Sequence, residues 1–261
     1  MSAKDIALSN EILRGVVGST AYGTGLEGHE DRDEMGVFIE PALNVCGLSS
    51  IEHYIYRDKP DGVRSEPGDL DLTLYSLKKF CGLAAKGNPS VLVLLWLPNY
   101  LIMTDAGERL VCLRKAFISR EAGCRFLGYL VSQKKALLGE RSPKVSRLEI
   151  IKKYGYDTKF AMHALRLGLQ GIEYLTEEII SVPIKEPHRS LLLAIRNGAI
   201  PLSDVLKLIE EAEGSLRQII DRTVTVTDRA GIDRFLVDEH QLHWWRNKES
   251  GPAIQTETVP K

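Results

Sequence analysis

The residues in this sequence that are best suited to chemistry are a glycine–serine pair and two aspartates that follow it. Gly18-Ser19 comes after the mostly apolar run 12–17, and Asp31 and Asp33 lie a short distance further along. A glycine–serine turn that leads from a strand into a short helix presents backbone N–H groups and a hydroxyl group, which suit a phosphate. Two carboxylates at alternate positions of a strand share a face and repel each other unless a cation lies between them. The pattern predicts a site for Mg²⁺ and for a substrate that carries phosphates.

A third carboxylate is available on a later stretch with strand character. Residues 70–75 alternate polar with apolar side chains, which is typical of a half-exposed strand. Asp71 lies between two leucines on this stretch, and Asp69 shares its face. Either aspartate could complete a two-metal site for in-line nucleotidyl transfer, and Asp71 is the better candidate.

A predicted helix near 157–179 carries basic residues along one face. Lys159, His163 and Arg166 are spaced by four and then three residues, so they lie on the same side of the helix. Basic stripes of this kind are more often solvated faces than binding sites. The alternative is a contact with phosphate groups close to the predicted metal site.

A second basic region spans residues 134–153, which hold seven basic and two acidic side chains. Cations in this density can provide sequence-independent affinity for an RNA backbone. An exposed loop between two helices accounts for them equally well. Few aromatic residues are interleaved with them, so stacking of single-stranded bases is not supported.

Strand-like segments dominate the first part of the chain, and helical periodicity dominates the rest. We predict strands at 12–17, 34–40 and 70–75, and a helix capped by Ser76 that ends at Gly87-Asn88-Pro89. Further helices are predicted at 106–117, 120–139, 157–179, 187–197, 202–222 and 227–239. The sequence therefore predicts an α+β protein. A small α/β domain over residues 1–103 precedes an all-helical domain over 104–245 and a flexible tail over 246–261.

Composition and charge exclude several classes of protein. The 261 residues are 44% hydrophobic, which is enough for a core and excludes disorder of the whole chain. The formal net charge of −1 excludes a histone-like polycation, although residues 1–100 are acidic and the rest of the chain is basic. Apolar runs are too short to span a membrane, no signal peptide is evident, and the 4 cysteines lack metal-site spacing. We expect a cytoplasmic protein without membrane contact, and the sequence leaves its oligomeric state open.

Five short sequence blocks, in the order in which they occur along the chain, resemble the DNA-polymerase-β-like nucleotidyltransferase superfamily. Within it, they look like the RlaP-type predicted nucleotidyltransferases that are associated with RNA-repair pathways. The resemblance covers residues 13–215. The blocks are Gly18-Ser19-Thr20-Ala21-Tyr22-Gly23-Thr24, Asp31-x-Asp33-x-x-Gly36-Val37-Phe38, Asp71-x-x-x-Tyr75-Ser76-Leu77-Lys78-Lys79-Phe80, Gly87-Asn88-Pro89 and Gly155-Tyr156-Asp157-Thr158-Lys159-Phe160-Ala161-Met162-His163.

The resemblance implies a polymerase-β-like nucleotidyltransferase domain and a role for each matched position. Gly18 and Ser19 would hold the β- and γ-phosphates of the incoming nucleotide. Asp31 and Asp33 would bind both metal ions, and Asp71 would bind the metal that activates the acceptor hydroxyl.

The last of the five blocks favours a functional reading of the basic helix face. On that reading, Lys159 and His163 would contact the nucleotide.

The sequence departs from the family pattern around the aspartate pair. Glu30 stands where serine is common, Arg32 where an apolar or aromatic residue is frequent, and Glu34 where an apolar residue is usual. The three predicted ligands are all present despite these differences.

We therefore predict a nucleotidyltransferase that depends on Mg²⁺, with Mn²⁺ as the alternative ion, and that uses an NTP as substrate. The expected acceptor is RNA, in particular the end of a tRNA, because of the family's association with RNA repair. Two alternatives stay open: transfer to a small molecule or protein side chain, and a non-catalytic module that binds nucleotide or RNA.

Overall fold

The computed structural model describes residues 2–25, 32–59, 68–140 and 147–249, with side chains as far as residue 245. Its strands are β1 (Glu11–Val16), β2 (Arg32–Phe38), β3 (His53–Arg57), β4 (Leu70–Ser76) and β5 (Ile102–Met103). They form one sheet in the order β3-β4-β2-β1-β5. The central pair β2–β4 is parallel, and the other neighbours are antiparallel.

Helices make up most of the remaining described chain. Two 3₁₀ turns, Val93–Trp96 and Leu113–Phe117, lie among them. The α-helices are α1 (Ala3–Ser9), α2 (Gly18–Tyr22), α3 (Ala42–Cys46), α4 (Leu77–Ala85), α5 (Pro89–Leu92), α6 (Asp105–Cys112), α7 (Arg120–Leu137), α8 (Leu148–Tyr154), α9 (Thr158–Thr176), α10 (His188–Arg196), α11 (Leu202–Arg222) and α12 (Arg229–Glu249).

The two faces of the sheet are covered by different parts of the chain. On one face, Ile6 and Ala7 of α1 form a small buried cluster with Phe38 of β2 and with leucines of β4. On the other face, Met35 and Val37 belong to a much larger core. Because side chains alternate along a strand, Asp33 shares its face with Met35 and Val37. The predicted ligand on β2 thus lies on the side where the helical part of the protein packs.

Helices α7, α9 and α11 pack closely together in the second part of the chain. Gly168 of α9 permits this approach, because a Cβ there would lie 2.8 Å from Leu130 and 2.9 Å from Ala212. The buried cluster that includes Ile12 and Leu13 of β1 continues through these helices to Ile232. One core therefore runs across residue 103, where the sequence predicts a domain boundary, and the proposed division rests on the change from strands to helices.

The expected fold class, an α/β unit followed by helices, is confirmed. The three predicted strands and the seven predicted helices are present with their ends shifted by a few residues. Strands β3 and β5 and helices α1, α3, α5 and α8 were not predicted. Helix α12 continues to Glu249, beyond the predicted end at residue 239 and into the predicted tail, of which residues 250–261 lie outside the described ranges.

The turn after α4 ends that helix and begins the next one. The left-handed residue is Gly87, with φ of 71°. Asn88 instead begins the next helix, because its side-chain oxygen accepts a hydrogen bond from the Ser90 amide at 2.9 Å. None of the helices in the described ranges is long and apolar enough to cross a membrane.

Candidate active site

Gly18 brings the start of helix α2 against the carboxylate of Asp33. Its φ of 69° lies in the left-handed region, which glycine adopts without steric cost. A Cβ at this position would run into the Asp33 side chain, with the carboxyl carbon only 2.9 Å away. Val17 provides no side-chain cap for α2, and the half-buried Ser19 follows directly in its first turn. The turn therefore presents a helix start, a hydroxyl group and a carboxylate at one place.

Asp33 and Asp71 lie directly opposite each other on the parallel strands β2 and β4. Register partners on neighbouring strands project to the same face, so the two carboxylates are side by side. Asp69 lies before β4, where its carbonyl oxygen accepts a hydrogen bond from the Arg32 amide at 3.0 Å. The register thus places Asp71, rather than Asp69, beside Asp33.

The remaining predicted ligand, Asp31, lies outside the described residues. In the part of the chain that the structure describes, no group of three or more His, Cys, Asp or Glu residues could hold a metal ion. Two adjacent carboxylates next to a glycine that leaves no room for a side chain nevertheless fit Mg²⁺, which binds through one or two carboxylates and substrate phosphates. Asp33 and Asp71 thus provide carboxylate oxygens suited to Mg²⁺, and the predicted set of three ligands also requires Asp31.

Arg57 of the edge strand β3 flanks Asp71 on the side away from Asp33. The two residues are register partners, and Arg57 Nε lies 3.8 Å from Asp71 Oδ1. The side chains are 47% and 34% exposed, so the ion pair is weak and easily exchanged. The Arg57 guanidinium therefore partly balances the negative charge of Asp71.

Glu34 lies on the opposite face of the sheet from Asp33. It is buried and accepts hydrogen bonds from Arg14 at 3.3 Å and from Arg32 at 2.6 Å. These contacts explain two of the departures from the family pattern, because Arg32 and Glu34 balance each other away from the site. Neither residue adds charge to the face that carries the aspartates.

The N-terminus of α9 is fixed by a buried carboxylate. Asp157 accepts hydrogen bonds from the backbone amides of Lys159 at 3.0 Å and Phe160 at 3.1 Å. Its second oxygen accepts a hydrogen bond from Arg147 at 3.1 Å. Asp157 is therefore the N-cap of α9, and it also holds Arg147 next to the first turn, which carries Lys159.

His163 is half-buried on this face among positive charges. Burial lowers the pKa of His163 well below its ordinary value, and the nearby cations Arg166, Lys159, Arg196 and Arg147 lower it further. The imidazole is therefore neutral at pH 7. Gln170, one turn beyond Arg166, is buried and accepts a hydrogen bond from Arg166 at 2.7 Å.

Arg166 connects this helix face with the glycine–serine helix. Its guanidinium carbon lies 4.1 Å from the centre of the Tyr22 ring, and Tyr22 is the last residue of α2. The segment before α10 also contacts this helix, because the Ile184 amide donates to the Tyr22 carbonyl at 3.2 Å. The structure thus brings the basic face of α9 and the α2 segment together.

The basic stretch 134–153 is only partly available for RNA. Lys134 lies 3.3 Å from both Glu210 and Glu213 on α11, and Arg147 is bound to Asp157. The segment 141–146 lies outside the described residues. The ion pairs support a structural role for part of this stretch.

Sequence reasoning missed Arg57, Arg147 and Arg196 as candidates for the site. Each approaches the predicted residues only through tertiary contacts, on β3, before α8 and at the end of α10. Arg147 was counted only as part of the basic stretch. No motif or spacing in the sequence connects these positions with the aspartates or with α9.

Comparison with known proteins identifies the family to which this chain is similar. A family model described as RlaP, RNA repair pathway DNA polymerase beta family, matches residues 7–238. None of the curated proteins matches the chain. A nucleotidyltransferase-like protein from Exiguobacterium sibiricum 255-15 is similar to 84% of this chain over 72% of its own length, with 10% identity and a TM-score of 0.31.

Proposed function

Because the chain belongs to the RlaP family of RNA repair pathway, DNA-polymerase-beta-like proteins, we propose that it transfers a nucleoside monophosphate from an NTP to the end of an RNA. A polymerase-β-like nucleotidyltransferase family supports nucleotidyl transfer in general. The observation that carries the proposal is the in-register pair Asp33 and Asp71 beside Gly18. These groups supply the adjacent carboxylates and the phosphate-facing helix start that such a transfer needs.

Asp31, Asp33 and Asp71 would hold the divalent ions, for which Mg²⁺ fits the oxygen donors best and Mn²⁺ is the alternative. Bound there, the ions would offset the charge that develops on the phosphate oxygens. Gly18 and Ser19 would bind the β- and γ-phosphates through backbone amides and the serine hydroxyl. Lys159 and His163 would contact the phosphate chain from the helical side.

In the proposed reaction, the acceptor hydroxyl oxygen forms a bond to the α-phosphorus of the NTP. The bond between that phosphorus and the bridging oxygen breaks, and pyrophosphate leaves with the electron pair. The hydroxyl proton passes to a carboxylate oxygen of Asp71, which lies on the exposed side of the pair next to the sheet edge. Most of the rate enhancement would come from positioning and charge balance.

An RNA acceptor, and tRNA in particular, is supported by the family's connection with RNA repair. The basic residues near the N-terminus of α9 agree with this acceptor, because phosphate contacts provide sequence-independent affinity.

The test is label transfer with each of the four α-labelled NTPs, Mg²⁺ and total tRNA. Asp33→Asn is expected to abolish the labelled RNA, because it removes a ligand charge while it keeps the side-chain shape. The matched control is Asp204→Asn on α11, an exposed aspartate whose carboxylate lies 3.3 Å from Lys207. This control is expected to transfer label like the wild type.

Label on a small molecule or on protein, and not on RNA, would contradict the RNA acceptor. If the wild type transferred label and Asp33→Asn matched it, the metal site proposed here would be wrong. No transfer to RNA, protein or small molecules would contradict the enzymatic function as a whole.

A further inference from the structure

A cavity of about 270 Å³ lies between helix α9 and the segment that precedes α10. Leu169, Ile172 and Ile184 contribute apolar side chains to its wall. The exposed residues Thr176 and Lys185 belong to its rim. Sites for drug-sized ligands are usually about 300–1,000 Å³, so this cavity suits a small ring system better than a peptide or a whole nucleotide.

The wall of this cavity also contains a buried hydrogen-bond donor that has no acceptor. Gln170 lines the cavity and is 4% exposed. Its side-chain oxygen accepts a hydrogen bond from Arg166 Nη1 at 2.7 Å, and a guanidinium group can only donate, so this contact fixes which end of the amide is the oxygen. The other end, Nε2, is buried and has no hydrogen-bond partner among the described residues. An acceptor atom of a ligand would satisfy it.

The carboxylates that line the cavity already have cationic partners. Glu173 and Glu177 lie 3.4 Å and 3.3 Å from Lys185. Glu186 lies 2.9 Å from Arg189. A cationic ligand would find these charges compensated, whereas a phosphate would meet three carboxylates and one lysine in the lining. The charges therefore favour a neutral ligand.

A nucleobase meets the requirements of shape, charge and hydrogen bonding. It is planar and uncharged near pH 7, and its faces can pack against leucine and isoleucine side chains. Its edge carries oxygen or ring-nitrogen acceptors, to which an amide group can donate.

The cavity shares part of its wall with the segment that contacts helix α2. The Ile184 amide donates to the Tyr22 carbonyl at 3.2 Å, and Tyr22 is the last residue of α2. Gly18, the first residue of this helix, touches Asp33. A helix of five residues extends about 7 Å at 1.5 Å per residue. The wall is thus one short helix away from the proposed phosphate site, and one nucleotide needs separate subsites for its base and its phosphates.

We propose that this cavity binds the base of the incoming NTP, and that the Gln170 amide donates to an acceptor atom on the edge of the base. Arg166 is a positioning residue, because it holds the amide with its nitrogen available. The identity of the ligand as an NTP rests on the proposed function, whereas the affinity of the cavity for a nucleobase does not.

Equilibrium dialysis with adenosine, guanosine, cytidine and uridine in EDTA tests the cavity without phosphates, metal ions or turnover. The wild type is expected to bind at least one of them. Gln170→Glu should weaken this binding about tenfold, because it keeps the bond with Arg166 but replaces the amide donor by an acceptor. The matched control is Gln218→Glu, the same change at an exposed position of α11, which should bind within about twofold of the wild type.

A second variant blocks the cavity and leaves the Gln170 amide unchanged. Thr176→Trp places a large side chain at the rim and should weaken nucleoside binding at least as much as Gln170→Glu. Thermal unfolding shows whether each variant is folded, and Thr176→Trp carries the test if Gln170→Glu is not.

An NTP in EDTA is expected to displace the bound nucleoside. The proposal is overturned if the wild type binds none of the four nucleosides, or if either folded variant binds like Gln218→Glu. It is also overturned if an RNA oligonucleotide displaces the nucleoside and no NTP does.

These measurements separate the inference from the proposed function. Asp33→Asn should retain nucleoside binding, since Asp33 does not line the cavity. In the label-transfer assay, Gln170→Glu should raise KM for the NTP about tenfold with a smaller effect on kcat. Nucleoside binding that depends on Gln170, without label transfer to any acceptor, would contradict the proposed function alone. Label transfer with an unchanged KM and no nucleoside binding would contradict the inference alone.

Discussion

At the scale of single residues, the site depends on a glycine that no other residue can replace without a cost. Gly18 combines a left-handed backbone with direct contact to the Asp33 carboxylate. A left-handed backbone is sterically unfavourable for a residue that has a Cβ, and the contact with Asp33 leaves no space for one. Conformation and close approach therefore act together at this one position.

Gly18→Ala is expected to lower the free energy of unfolding by about 1–3 kcal/mol, because the alanine must adopt positive φ and displace Asp33. Label transfer should fall with it, since the displaced carboxylate is a proposed metal ligand. Thermal unfolding and the tRNA assay measure the two effects.

Gly214→Ala is the matched control for this substitution. Gly214 lies in α11, and a Cβ there would meet no atom within 4 Å. Since alanine favours a helix over glycine, this variant should be more stable by about 0.5–1 kcal/mol. Equal melting temperatures for Gly18→Ala and the wild type would show that the close contact with Asp33 is wrong.

At the scale of elements, the orientation of α9 depends on how its first turn is held. Asp157 is 4% exposed and binds two amides of the helix as well as Arg147. Arg147 also lies over the Phe160 ring, 4.8 Å from its centre. One carboxylate therefore fixes both the start of α9 and the position of the Arg147 guanidinium.

Asp157→Ala is expected to lower the free energy of unfolding by about 2–4 kcal/mol, because it removes a helix cap and leaves Arg147 without its carboxylate. Urea denaturation gives the value. Ser119→Ala, which removes the single cap bond of α7 to the Ala122 amide, should cost about 1 kcal/mol. A loss no larger than that of Ser119→Ala would contradict the double role of Asp157.

At the scale of the whole molecule, helix α12 closes the chain onto the sheet. His240 and Glu40 form a buried pair at 3.1 Å, and the Trp244 indole donates to the Glu40 carbonyl at 2.8 Å. Arg109 and Glu239 add a two-bond ion pair between α6 and α12. These contacts join residues that are separated by 130 to 204 positions in the sequence.

The His240–Glu40 pair makes stability depend on pH. Burial alone would lower the pKa of His240, but the Glu40 carboxylate and the Leu236 carbonyl raise it above the ordinary value of 6.5. Burial would raise the pKa of Glu40, but its hydrogen bonds with His240 and Ser76 lower it below 4.5. The histidine's contribution is complete below pH 6.5 and is lost as the pH rises through its raised pKa. The glutamate's contribution is complete above pH 4.5 and is lost as the pH falls through its lowered pKa.

His240→Gln is therefore expected to cost most between pH 4.5 and 6.5, with a maximum of about 1–3 kcal/mol, and less on either side. Urea denaturation of both proteins between pH 4 and 9 measures the difference. The control His188→Gln removes an exposed histidine of α10 and should change the free energy of unfolding by no more than about 0.5 kcal/mol. A flat difference for His240→Gln would show that the pair is not charged in the folded protein.

The amino-acid sequence by itself determined the local features of this protein. Short apolar runs predicted β1 and β2, alternation predicted β4, and helical periodicity predicted the main helices, because each pattern is confined to one segment. The glycine–serine turn and the strand positions of Asp33 and Asp71 were predictable for the same reason. Strand β3 was missed because it lies at an edge with nearly every residue exposed, so that alternation gives no signal.

Only the tertiary structure decided which of these features meet. The parallel pairing of β2 with β4 placed Asp71, and not Asp69, beside Asp33. Packing brought Arg57 to Asp71 and Arg166 to the ring of Tyr22. It also buried His240 against Glu40, from the other end of the chain. Contacts of this kind lower the free energy only after distant segments have come together, so no local run of residues records them.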